Sequence, residues 1–212
     1  PVVPQQFRQP RVERPVGEAD DPTHRVVRGY TPQPFLQLEE KLQTYFYVEQ
    51  HPKTPEGKNS FLKALKSAAK KYRVIGASFK RDPRYVILRL KNKRIMQRLA
   101  KDLSPALQEL DVSILHLLVL ETILGLKPEQ QVSGDTIKYT QDEEIALQTL
   151  EKEDFQAAFI LNPSKKDEIQ IIANSGQTMP QKSTYFYPKL LSGLIVNKVD
   201  LDEEIGTTAE PF

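Results

Sequence analysis

The sequence predicts an α+β fold: a mixed β-sheet packed with helices around a buried central helix at about residues 111–124. Three observations predict it. Apolar residues at helical spacing alternate with short β-branched and aromatic runs, and two of those runs adjoin as a hairpin. The stretch from Asp111 to Leu124 is apolar on nearly every face and stops at Gly125. It is too short to span a membrane, so it predicts an interior helix.

Each element has its own local cause. Residues 1–22 carry Pro, Arg, Glu and Gln with few apolar anchors and read as an extended or disordered arm. Phe35, Leu36, Leu38, Leu42 and Tyr45 recur at helical spacing and predict a first helix, which merges into a short strand over 45–48. His51 to Gly57 is a loop by its prolines and glycine. Phe61, Leu62, Leu65, Ala68 and Ala69 predict a second helix with lysines on its other face. Strands follow over 74–79 and 85–90, joined at residues 80–83, with Tyr85, Ile87 and Arg89 alternating against Val86, Leu88 and Leu90. A helix over about 93–103 gives way to Ser104-Pro105, an N-cap with proline at the first helical position. Beyond the central helix, the pattern predicts strands at 137–139 and 156–161 and helices at 142–150 and 165–174. Final strands are predicted at 184–187 and 194–199. The layout is an arm (1–22), one domain (23–200) containing a basic helix-hairpin-helix subregion at 57–103, and a flexible tail (201–212).

Composition narrows the chemistry. A chain of 212 residues, 39% apolar, can bury one good core or two small ones. The absence of cysteine excludes disulfides, zinc-thiolate sites and a cysteine nucleophile. No stretch approaches the roughly 20 apolar residues of a membrane span, and the first residues lack the pattern of a signal peptide. The expectation is a cytoplasmic protein without a membrane partner. The net charge of +2 hides a segregation: residues 57–101 hold fifteen bases and one acid, Asp82, whereas residues 102–212 hold nineteen acids and eight bases.

The segment from Met179 to Lys189 gathers an ammonium (Lys182), two hydroxyls (Ser183, Thr184) and three consecutive aromatics between two prolines. Gly176 to Ser183 falls one residue short of a phosphate-binding P-loop, with Gln181 where a glycine belongs. The order helix, loop, strand is reversed for that motif and Pro180 removes an amide donor, so the P-loop is rejected. A looser role remains open: Lys182, Ser183 and Thr184 binding phosphate or carboxylate, with Tyr185 or Tyr187 stacking on a ring. The plain alternative is a surface turn whose aromatics fill the core by alternation.

The three histidines show no metal-ligand spacing. His116 lies on the central helix, where a core histidine bonded to a neighbour is the ordinary outcome. His24 and Arg25 read as loop residues beside Arg28 and Tyr30, a candidate ligand contact set against a solvated loop. The basic stretch offers Lys66, Lys70, Lys71, Arg73, Lys80, Arg81, Arg84 and Arg89 as nucleic-acid phosphate contacts. Its plainer reading is a face that pairs with the acidic remainder of the protein.

Several motifs, Pro22-Thr-His-Arg25, Leu110-Asp-Val-Ser-Ile-Leu-His116, Gly125, Ala157-Ala-Phe-Ile-Leu-Asn-Pro163, the 179–189 segment and Ser192-Gly-Leu194, occur in one order. With them the chain resembles a prokaryotic family, the domain of unknown function ten-fifteen, through most of residues 21–199. Residues 57–101 match it least. Members of that family are about twice as long and carry an upstream His-His-Arg-Tyr-Glu segment similar to the phosphate-handling motif of ParB-like and free-serine-kinase proteins. No such segment stands in these 212 residues. The resemblance therefore implies the carboxyl-terminal portion of a ParB-like protein that binds a nucleotide or phosphorylated metabolite, with the upstream half or its equivalent as partner. It further implies phosphotransferase-like chemistry in the complete protein and none in these residues alone. In that reading Lys182, Ser183, Thr184, Tyr185, His24 and Arg25 form the ligand site, and the cofactor is unknown. The competing reading is a nucleic-acid-binding or regulatory module built on residues 57–101.

Overall fold

The computed structural model describes residues 22–183 apart from positions 33, 133 and 181. The amino-terminal arm up to 21, the strands expected at 184–187 and 194–199, and the tail lie outside the described residues. So do Thr184, Tyr185 and Tyr187.

Six strands form one sheet: β1 (His24–Val27), β2 (Phe46–Pro52), β3 (Val74–Phe79), β4 (Arg84–Leu90), β5 (Ile137–Thr140) and β6 (Ala157–Ile160), in the spatial order β2-β4-β3-β6-β1-β5. The α+β class is as the sequence predicts. Every pairing among these strands is antiparallel, so within the described residues the sheet is not mixed. The β3–β4 hairpin pairs Val74 with Arg89 and Ser78 with Tyr85.

Both faces of the sheet are covered, as the side-chain alternation requires. On one face lie α2 (Pro55–Ala68) and α7 (Glu143–Lys152), closing a core of Phe61, Leu65, Val74, Ile87, Leu147, Leu150, Ala158 and Ile160. On the other lie α1 (Phe35–Tyr45), α3 (Arg94–Leu99) and the central helix, over a larger core that takes Val27, Ile75, Ala77, Val86, Leu88 and Phe159. Burying one such Leu, Ile or Phe contributes about 1.5–3 kcal/mol before the entropy of ordering is set against it. Short helices α4 (Pro105–Gln108), α6 (Pro128–Val132) and α8 (Lys166–Asn174) complete the layer.

The central helix opens as α5 (Asp111–Ser113) and continues as a π-helix over Ile114–Ile123. Leu124 N–H donates to Val119 O at 2.9 Å and Thr122 Oγ1 to Leu117 O at 2.7 Å, each spanning five residues. A π segment of this length is rare. Ile114, Leu115, Leu118, Val119 and Leu120 are all buried along it, which matches the predicted interior helix.

Two departures matter for the site. Residues 24–27, read as loop, form the strand β1 between β5 and β6. The helix predicted over about 93–103 is shorter, α3 ending at Leu99 before the separate turn of α4.

Candidate functional site

At the end of the sheet where β1 enters and β6 leaves, four of the motif segments meet. Thr23, Asp111, Asn162 and Ser183 line a recess of about 30 Å³ together with Arg73 and Lys165. Each arrives for a local reason. Ser183 closes a tight turn in which its N–H donates to Pro180 O at 3.2 Å and its hydroxyl to the same carbonyl. Asn162 lies two residues past the end of β6, and Asp111 is the first residue of α5. Lys165 caps the start of α8, its N–H donating to Glu168 Oε2 at 3.1 Å.

The polar atoms of this recess are incompletely satisfied. Asp111 Oδ1 and Asn162 Nδ2 are buried and have no hydrogen-bond partner among the described residues. Burial pushes the Asp111 carboxyl up to about 7; Arg73 and Lys165 pull it down and Glu168 pushes it up further. Arg73 is ion-paired with Glu168 and lies 3.8 Å from Glu109. A buried acceptor and a buried donor left open beside two cations form the arrangement expected of a polar ligand site. The first turns of α5 and α8 both start here, and helix amino termini favour anions.

A second recess, of about 310 Å³, lies on the α2–α7 side and shares Leu161, Asn162 and Pro163 with the first. His24 lines it, with Glu143, Lys66, Asp142 and Gln141. Leu161 N–H donates to His24 Nδ1 at 3.2 Å, and His24 Nε2 stands 3.8 Å from Glu143 Oε2. Glu143 is held low, near 2, first by His24 and then by Lys66 despite partial burial.

The expected ligand residues therefore separate. His24 and Arg25 are not loop residues: both are buried in β1 and, as successive strand positions, point to opposite faces. Arg25 is fully enclosed, and its guanidinium donates to Thr23 O and, at 3.1 Å, to Lys182 O while lying 5.5 Å over the Tyr139 ring. Burial lowers it to about 10. It fastens the 180–183 turn to β1 where a phosphate clamp was expected. Lys182 has φ 59°, in the left-handed region, and its side chain is exposed. Ser183 is buried in the first recess. His116 is a core histidine with Nδ1 2.7 Å from Gln131 Oε1; burial, then Arg25, lowers it to about 4.

Five of the eight contact residues expected in the basic stretch, Lys66, Arg73, Lys80, Arg84 and Arg89, are engaged within the protein. Lys58 pairs with Glu144 at 2.6 Å, Lys66 with Glu143 at 2.9 Å, Lys93 with Glu109 at 2.7 Å and Arg73 with Glu168. Arg84 meets Asp82 at 2.9 Å, and Lys80 donates to Glu153 O. Arg89 lies 4.7 Å over both Tyr47 and Tyr72. Lys70, Lys71 and Arg81 are exposed, with no ion pair among the described residues. Those residues hold no group of three or more His, Asp or Glu arranged for a metal ion, and no helix among them is long and apolar enough to cross a membrane.

Asp111, Asn162 and Lys165 were not singled out from the sequence as site residues. Asp111 and Asn162 stood inside the 110–116 and 157–163 motifs, which was the available signal. The pattern defines an α+β protein with a polar recess at one end of an antiparallel sheet. No protein-family model, curated protein or solved structure matches the chain.

Proposed function

We propose that the chain binds a phosphate-bearing small molecule or nucleotide at the sheet-end recess, as the carboxyl-terminal portion of a ParB-like protein. The observation that carries this reading is the pair of open buried atoms, Asp111 Oδ1 and Asn162 Nδ2, in a recess also lined by Arg73 and Lys165. Arg73 and Lys165 neutralise anionic oxygen, and the open Asn162 Nδ2 supplies a hydrogen bond. The small recess has room for one ligand oxygen, and the larger one across the 161–163 wall has room for more of a small ligand.

In a complete protein with phosphotransferase activity, Asp111 is the residue to take the proton from an attacking hydroxyl. A carboxyl near 7 is poised for that exchange. The new P–O bond would form to that oxygen as the bond to the phosphoryl donor's bridging oxygen breaks, the donor leaving with the electron pair, while Arg73 and Lys165 hold the charge of the transferred group.

Calorimetric titration with inorganic phosphate and adenosine monophosphate tests the reading. Both are expected to bind, and Lys165→Ala is expected to weaken them about tenfold, while Lys71→Ala changes nothing. Absence of binding by either compound, or equal binding in Lys165→Ala, would overturn it.

A further inference from the structure

The larger recess contains a donor and an acceptor that face one another just beyond hydrogen-bond range. With Leu161 N–H donating to His24 Nδ1, the neutral ring carries its proton on Nε2. That nitrogen is buried and has no hydrogen-bond partner among the described residues, and His24 lines the recess. Glu143 Oε2, 3.8 Å away, is beyond hydrogen-bond range, and Lys66 Nζ holds the other carboxylate oxygen at 2.9 Å.

A group set beside this pair and within reach of both atoms has to accept from the N–H and donate to the carboxylate oxygen, and a hydroxyl does both. A second anion is disfavoured there by the Glu143 charge. Leu62, Leu65 and Ile160 give the same recess an apolar wall suited to the carbon face of a ring. Carboxylates that take ribose hydroxyls in dinucleotide sites use this same acceptor chemistry.

We propose that the His24–Glu143 recess binds the hydroxyl-bearing sugar of a sugar phosphate or nucleotide. His24 Nε2–H donates to a hydroxyl oxygen, and that hydroxyl donates to Glu143 Oε2. The assignment rests on the phosphate reading above and names the other half of its ligand. Asn162, on the wall common to both recesses, stands where phosphate and sugar join.

Calorimetric titration of the same chain with adenosine monophosphate, its 2′,3′-dideoxy analogue and inorganic phosphate tests it. Adenosine monophosphate is expected to bind about tenfold more tightly than the dideoxy compound, the effect of one hydrogen bond to a charged group. Glu143→Ala removes that difference without weakening inorganic phosphate. Lys58→Ala breaks a neighbouring ion pair between the same two helices, to Glu144 and outside the recess lining, but keeps the difference, separating hydroxyl recognition from a general loss of structure. Equal affinities in the unmodified chain, or a difference that survives Glu143→Ala, overturn the sugar assignment while phosphate binding stands. If no phosphate compound binds, both readings fall together.

Discussion

Asp111 begins a helix with one carboxylate oxygen buried and unpaired, an arrangement that destabilises the fold when the group is ionised. Its carboxyl lies at about 7 in the folded protein against an ordinary 3.8. The folded state therefore binds the proton more tightly, and this group's contribution to stability falls as pH rises through that window. His116, lowered to about 4, acts in the opposite sense, losing stability as pH falls below its ordinary 6.5. Comparing Asp111→Asn with the unmodified chain isolates the carboxylate. The variant should match the parent in Tm at pH 4 and exceed it by roughly 5 °C at pH 8. A parallel offset at both pH values would contradict the raised carboxyl. Sulfate, a dianion throughout this range, should bind more weakly at pH 8 than at pH 6 in the parent and equally at both in the variant.

Among the elements, α2 shows how closely the layers approach. Thr54 Oγ1 accepts from Gly57 N–H at 3.0 Å, Pro55 fills the first helical position, and a side chain at Gly57 would run into the backbone carbonyl of Pro52. A methyl at Gly76 would sit 2.7 Å from Phe61 Cζ and 2.8 Å from Leu65 Cδ2, flexible tips that can shift. Urea denaturation should therefore show Gly57→Ala losing roughly 3 kcal/mol and Gly76→Ala about 1 kcal/mol. The reverse order would show that the α2–β2 contact is looser than the geometry implies.

The periodic elements were legible because their patterns are local: β4 alternates, α2 repeats its apolar face, and the central helix is apolar all round. β1 was not legible. His24-Arg25-Val26-Val27 has only two β-formers, and its strand state comes from pairing with β5 and β6, far along the chain. The same gap hid the site. From sequence, His24 and Arg25 look like neighbours serving one ligand; on a strand they face opposite layers. The π winding of 114–123 also left no periodic signature, since every face of that stretch is apolar.

At the scale of the molecule, the opposite charges of residues 57–101 and 102–212 are brought into register. Lys58, Lys66, Arg73 and Lys93 meet Glu144, Glu143, Glu168 and Glu109 across the fold. Such pairs individually contribute little, but they draw down the field that would attract a polyanion. A generic DNA duplex should elute unretarded from the immobilised protein at about 0.15 M salt. Strong retention under those conditions would return the basic stretch to the leading role. The most direct measurement of the whole account is a crystal structure of the chain with adenosine monophosphate. The account predicts the phosphorus between Arg73, Lys165 and Asp111, with the sugar across the 161–163 wall beside His24 and Glu143. A nucleotide seated instead on Lys70 and Lys71 at the basic surface, with the sheet-end recess empty, would contradict it.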